Sequence, residues 1–359
     1  MANRRVGMQL ALCGACFVVS SVTAAPMHGQ NATEQSRLAI VLPLELIAGQ
    51  PATFAILTAD GHVAPGTKVV LSNGQVVTTD ESGRAHFLVP SDTGVMFARI
   101  SDTEVREAAD VLPQASSDSG LQATEIPKMV SIENHFAIGG NGFQGDADRN
   151  RIAIDGKAVF VLGSSPVQLI VMPAANQPPG PAKLTITEGL AETVTDLTLV
   201  NIVLMNSSNA EIHRGSKMEI VLLARGTEEP LNLKIQNLNP QTVQLAHGSE
   251  AYVRTTGGPG NSALLQLKGE NAGSFSFAIG LESPSAEANV PVARDFLAAA
   301  QKAAAQDMTN RIEKILRRLR GKNIEVVKIR NDLQQMLAQH GSDDFRALIR
   351  ASLRALHGE

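Results

Sequence analysis

The chain has 359 residues, 43% hydrophobic and 18% charged, with 3% aromatic residues, no Trp, one Tyr and a formal net charge of −4. So few rings argue against a flat sugar-binding face, which stacks aromatic side chains on the sugar. The two cysteines, Cys13 and Cys16, both fall in the first twenty residues. Disulfide-stapled modules are thereby excluded, and each domain must be stable on apolar burial, which calls for roughly 80 residues or more.

Arg4 and Arg5, an apolar run from Leu10 to Val19, and Thr23, Ala24 and Ala25 ahead of Pro26 follow the order of an export signal. The run is shorter than the roughly 20 residues a bilayer span needs. Val22 and Ala24 place cleavage after Ala24, giving a signal peptide over 1–24 and a mature chain beginning at Ala25. Neither cysteine has the Leu and paired small residues that precede a lipidated one. The expected location is outside the cytoplasm: periplasmic, cell-surface or extracellular, with no transmembrane segment in the mature chain. Residues 25–36 are polar and predicted to be disordered.

From 37 to 113 the pattern is short strands and tight turns. Phe54 and Ile56 alternate with Ala55 and Leu57. Val69 and Leu71 lead into Asn73-Gly74, a strong hairpin signal because both residues tolerate positive φ. Ala85, Phe87 and Val89 alternate after Ser82-Gly83. Strands this close in sequence are expected to pair antiparallel. Gly49-x-Pro51 and Asp80-x-x-Gly83-Arg84-Ala85-x-Phe87 resemble bacterial Ig-like repeats. Residues 114–126 have a linker's composition.

A second β block covers 127–200. Its Ile132, Phe136, Gly139, Gly142, Phe143 and Gly145, then Asn150, Ile152 and Ile154, then Val161, Leu162, Ser164, Ser165, Pro166 and Val167, and finally Pro179, Gly180, Pro181, Ala182 and Leu184 resemble an IPT/TIG domain. That resemblance implies an Ig-like β-sandwich and no particular function. Within it, Phe143 is expected to plug the sandwich end, and Pro179-Gly180-Pro181 to close a hairpin away from the ladder. A third block, 201–283, alternates at Leu231, Leu233 and Ile235 and at Phe275, Phe277, Ile279 and Leu281, with a wide turn at Gly257-Gly258-Pro259-Gly260.

The last segment, 290–359, has a different texture. Residues 291–359 carry 13 Lys and Arg against 8 Asp and Glu, a charge of +5 that faces −9 in the rest of the chain. Helical spacing links Phe296, Ala300, Ala303, Met308, Ile312, Ile315 and Leu319 in one run that ends at Gly321. Val326, Ile329, Leu333, Met336, Leu337 and His340 stripe a second helix. Ser342 caps a third, with Phe345, Leu348, Ile349, Ser352, Leu353 and Leu356 on its apolar face and Asp343 and Asp344 at its positive end.

Little of this carries chemistry. The eight histidines are scattered, and no nucleophile elbow, P-loop or dinucleotide fingerprint occurs. Asp146-x-Asp148-x-Asn150 begins like a calcium loop, but Arg151 and Lys157 stand where the turn Gly and the bidentate Glu belong. A solvated loop is the expected state, with weak calcium binding as the alternative. Arg311, Lys314, Arg317, Arg318 and Arg320 form a basic cluster on a helix. It reads either as a solvated face or as the contact for an acidic partner: a headgroup surface, a wall polymer, or the chain's own acidic body.

The whole reads as mainly β, tandem Ig-like β-sandwiches followed by a C-terminal α-helical module. The expected function is non-enzymatic, without cofactor or metal: an exported interaction or structural protein whose sandwiches bind or space, with a protein or an acidic envelope surface as partner and no nucleic acid. The alternative is an accessory subunit of an envelope enzyme or secretion assembly, docked through its helices. A hydrolase would need a nucleophile and base brought together by folding alone.

Overall fold

The computed structural model describes residues 38–59, 61–114, 120–205, 212–245, 250–271, 275–281, 290–304, 306–321, 324–337 and 342–357. The expected export signal, its cleavage point and His340 lie outside the described residues. The protein is mainly β, with tandem sandwiches and helices at the C-terminal end.

The first sandwich contains β1 (Ala39–Val41), β2 (Glu45–Ile47), β3 (Pro51–Leu57), β4 (Lys68–Leu71), β5 (Val76–Thr78), β6 (Arg84–Leu88), β7 (Gly94–Ile100) and β8 (Arg106–Leu112). One sheet has the order β2-β8-β7-β4-β5; the other is built on β3, flanked by β1 and β6. Asn73-Gly74 turns the β4–β5 hairpin as its residues dictate, with Gly74 at φ 85°. Pairing is antiparallel throughout this sandwich except between β2 and β8, which run parallel. Phe54, Ile56, Leu71, Phe87 and Met96 fill the core.

The second sandwich adds β9 (Gln122–Glu125), which falls in the stretch with a linker's composition, then β10 (Met129–Ser131), β11 (Phe136–Asn141), a 3-10 turn (Ala147–Arg149), β12 (Arg151–Ile154), β13 (Lys157–Ala158), β14 (Phe160–Ser164), β15 (Gln168–Met172), β16 (Gly180–Glu188) and β17 (Ala191–Met205). Phe143 is 4% exposed in a core with Ile138, Ile154 and Leu184. Pro179-Gly180-Pro181 does not close a hairpin. Gly180 opens β16, where Pro181 sits opposite Thr198, and the hairpin turns at the other end, at Gly189-Leu190. A proline near a strand's start costs the ladder little.

The sandwiches are not beads on a string. Ser164 of β14 pairs with Thr53 of β3, joining one sheet of the first sandwich to one of the second in a single seven-stranded sheet. Val41, Ala55, Leu57, Leu162, Ile170 and Met172 bury a separate apolar seam along this junction. The backbones also touch closely. A Cβ on Gly145 would sit 1.8 Å from the Pro51 carbonyl oxygen, so only glycine fits there.

A similar fusion links the second and third sandwiches. The fifteen residues of β17 pair with β16 over Ala191–Leu199 and then with β18 (Lys217–Arg225) over Asn201–Met205. The expected boundary at 200/201 therefore falls inside one continuous strand. The third sandwich is completed by β19 (Asn232–Asn237), β20 (Val243–Leu245), β21 (Glu250–Arg254), β22 (Ser262–Gly269) and β23 (Phe277–Leu281), around Leu222, Leu233, Ile235 and Phe277.

Four helices follow where sequence spacing predicts three: α1 (Val290–Ala303), α2 (Gln306–Leu319), α3 (Val326–Leu337) and α4 (Asp343–His357). The predicted first helix divides after Ala303, which is exposed rather than on the apolar stripe, and α2 takes the stripe up again at Met308. Ser342 caps α4 as its position requires, accepting the Phe345 N–H on its Oγ at 3.3 Å. None of the described helices is long and apolar enough to cross a membrane.

Candidate functional site

The helical module lies on the outer face of the first sandwich. Its core of Phe296, Leu297, Ile312, Ile315, Leu333, Phe345, Ile349 and Leu356 is continuous with Leu44 and Ala108 of the sandwich, and Val95 and Phe97 of β7 pack against it. Isolated helices of 12 to 15 residues are marginal in water and take their stability from burying an apolar face; here that face is buried on the chain's own sheet.

Polar contacts fix the position of α4. Arg354 reaches Glu107 at 2.9 Å and donates to the main-chain oxygens of Leu42 and Ala108 at 3.3 and 3.1 Å. Arg350 lies 3.7 Å from Glu107 and donates to the Arg106 carbonyl at 2.6 Å. Arg106 closes the set with an ion pair to Asp344. At the other side of the module, Gln334 of α3 donates to Glu250 on β21 of the third sandwich at 2.8 Å.

The basic cluster on α2 is placed differently. Lys314, Arg317 and Arg320 are exposed, and Arg311 and Arg318 are half-buried at the flanks of the apolar stripe. Arg317 pairs with Glu313 at 3.1 Å on the same helix, and Arg318 with Asp332 of α3. The chain's own acidic body is thus met by arginines of α4, which helical spacing alone had not singled out. Their signal was present in retrospect: Arg346, Arg350 and Arg354 repeat every four residues beside an apolar face, the placement of a long side chain that covers a neighbouring sheet.

A second polar cluster pins the first two sandwiches together. Arg84 of β6, 7% exposed, lies over the Phe160 ring at 5.0 Å, donates to the Val161 carbonyl and pairs with Asp148 at 2.7 Å. Thr53 gives its one hydroxyl hydrogen to the Gly145 carbonyl at 2.7 Å and accepts the Ala147 N–H at 3.2 Å. His86 Nδ1, 2.8 Å from the same hydroxyl, must therefore be the donor in that contact. His86, Asp146 and Asp148 each bring a ligand-type atom within 4.8 Å of the others. This set does not suit a cation. Arg84 holds one Asp148 oxygen, the Asp148 N–H holds one Asp146 oxygen, and Arg149 stands 3.8 Å from the other. Two guanidinium groups already balance the two carboxylates. Asn150, the third residue of the calcium-like run, is turned inward: its side chain accepts from Gln144 N–H and donates to the Gln144 and Asp146 carbonyls. We expect the melting temperature to stay unchanged on adding EDTA or a reductant. A fall of several degrees with EDTA would show that the cluster holds an ion after all.

No family model matches the chain, and no curated protein matches it. Among solved structures, similarity extends to SGBP-B of the Bacteroides ovatus mixed-linkage glucan utilization locus, solved in complex with a mixed-linkage heptasaccharide. Identity there is 13% over 74% of this chain and 65% of that one, under two thirds of its length, with a TM-score of 0.19. Sidekick-1 immunoglobulin domains 1–4 align at 11% identity over 66% of this chain and 76% of that one, TM-score 0.22. The four N-terminal Ig domains of Dscam1 isoform 7.44 align at 10% over 69% and 72%, TM-score 0.21. The fold follows from the strands themselves: pairs of mostly antiparallel sheets face each other across alternating apolar side chains. The chain is a tandem Ig-like β-sandwich protein carrying a C-terminal helical module.

Proposed function

We propose that this is an exported, non-enzymatic interaction protein in which the fused sandwiches are a stiff scaffold and the docked helices present a basic surface to an acidic partner. The observation that carries this reading is the division of labour within the helical module. Its apolar stripes are buried against the first sandwich, while Lys314 and Arg317 of α2 and Arg320 just past its end stay exposed. In this reading residues 1–24 are the signal peptide, 127–200 is the IPT/TIG-like module, and the partner is a protein or an acidic envelope surface in the periplasm, at the cell surface or outside. The accessory-subunit alternative would have to dock through the same basic face, since the apolar faces are already covered.

Lys314→Glu, Arg317→Glu and Arg320→Glu together avoid Arg318, whose loss would strand Asp332. We expect wild-type protein to sediment with the envelope fraction of its host and to be released at 1 M salt, where the screening length falls to about 3 Å. The triple variant should stay in the supernatant with the β body intact and only a small loss of helix stability, from the Arg317–Glu313 pair it gives up. Equal sedimentation of variant and wild type would reduce the cluster to a solvated helix face.

A further inference from the structure

Two carboxylates stand side by side on the face of the first sandwich that the helices cover. Glu45 of β2 and Asp110 of β8 are direct partners in the parallel register, and Asp110 is 8% exposed. Alternation fixes their direction. The next pair along, Leu46 and Val111, belongs to the sandwich core, so Glu45 and Asp110 point the opposite way, toward the side where Ala108 packs against the helices. The helix α1 adds a third carboxylate, Asp295, which acts on both, and Glu125 of β9 adds a fourth beside Glu45.

Like charges directly opposite one another on paired strands are destabilising, and among the described residues no cation offsets these. Arg354, which α4 lays on the same strand, is engaged by Glu107 and by the Leu42 and Ala108 carbonyls. From the second sandwich, Gln168 accepts the Leu44 N–H and Ser165 donates to the Glu45 carbonyl, contacts that leave the carboxylates uncompensated. Among the described residues, the Val111 N–H alone favours the charged form of Asp110. Burial first, and then the neighbouring carboxylates, push Glu45 up to about 7 and Asp110 up to about 6.

We propose that this cluster makes α1 a pH-dependent clasp, closed on the first sandwich when Glu45 and Asp110 are protonated and pushed off when they ionise. The sign follows from linkage. Both groups bind protons more tightly with α1 closed than in an open state where they meet water. Closure is therefore strongest in acid and weakens as pH rises through 6 and 7. The Arg350 and Arg354 contacts keep α4 on the sandwich throughout, so opening means α1 lifting from the strand and from α4, which uncovers Phe296 and Leu297.

Amide hydrogen exchange on the full chain, corrected for intrinsic rates, reads this directly. Protection of Val290–Ala303 should be about tenfold or more lower at pH 8 than at pH 5, while β18 and β22 show no such change. In Glu45→Gln/Asp110→Asn, protection at pH 8 should rise to the acid level. Asp295→Asn lies at an exposed position that cannot disturb the sandwich fold, and it should shrink the pH response by itself. Equal protection of wild-type α1 at the two pH values, or an undiminished response in both variants, would overturn the clasp.

Discussion

Arg354→Met is expected to weaken docking of the helical module by about 3 kcal/mol, because it leaves Glu107 short of a buried partner and strips the Leu42 and Ala108 carbonyls of a shared donor. Arg354 and Glu107 side chains are 21% and 16% exposed, so water compensates only in part. Arg350 still faces Glu107 at 3.7 Å, which keeps the loss below that of an entirely orphaned charge. Lys at this position should recover less than half, since a single ammonium cannot span two carbonyls and a carboxylate as the guanidinium fork does. Denaturant unfolding should show an early transition of the helices, with dye binding to the uncovered Phe97 and Phe296, while the β signal persists. A single cooperative transition at the wild-type midpoint would mean that the arginine adds nothing to docking.

Phe143→Ala should destabilise the second sandwich by about 3 kcal/mol, through lost transfer energy and the cavity left behind. The ring is 4% exposed, and the loop around it has no room to collapse inward. A Cβ on Gly140 would already meet the Phe143 ring at 2.8 Å, and one on Gly142, at φ 79°, would meet the Leu121 backbone at 2.9 Å. Because β14 and β17 tie this sandwich to both neighbours, the loss should lower the melting of the whole β body. A change below about 1 kcal/mol would place the ring outside the core.

Local structure was legible in the residues, and the seams were not. Asn73-Gly74, Ser342 and the helical stripes announce their elements by conformational freedom, capping and period. By contrast, the alternation of Phe54 and Ile56 with Ala55 and Leu57 signals a strand without showing what covers either face. Both faces of β3 are buried, Phe54 and Ile56 in the first core and Ala55 and Leu57 in the seam with the second sandwich. An unbroken apolar run is the signal for a strand covered on both sides. The 15 residues of β17 contain no Gly or Pro, which is the one sequence trace of a strand shared by two sandwiches. The latch of Arg84, His86 and Asp148 joins residues more than sixty positions apart, and nothing local marks such a meeting. On α4, sequence spacing showed where basic residues lie but not which of them would face protein.

The central claim, that the helical module is anchored on its own first sandwich, is tested most directly by a distance measurement between them. A chain beginning at residue 26 holds no native cysteine, so spin labels can be placed at Glu104→Cys, in the exposed turn before β8, and Arg346→Cys, on the exposed side of α4. These sites flank the Arg106–Asp344 pair. Pulsed electron resonance on dilute protein should give one short, narrow distance distribution, broadened when Arg354→Met is added. A broad, long distribution in the otherwise wild-type chain would show that the helices are not held on the sandwich, and would contradict the account.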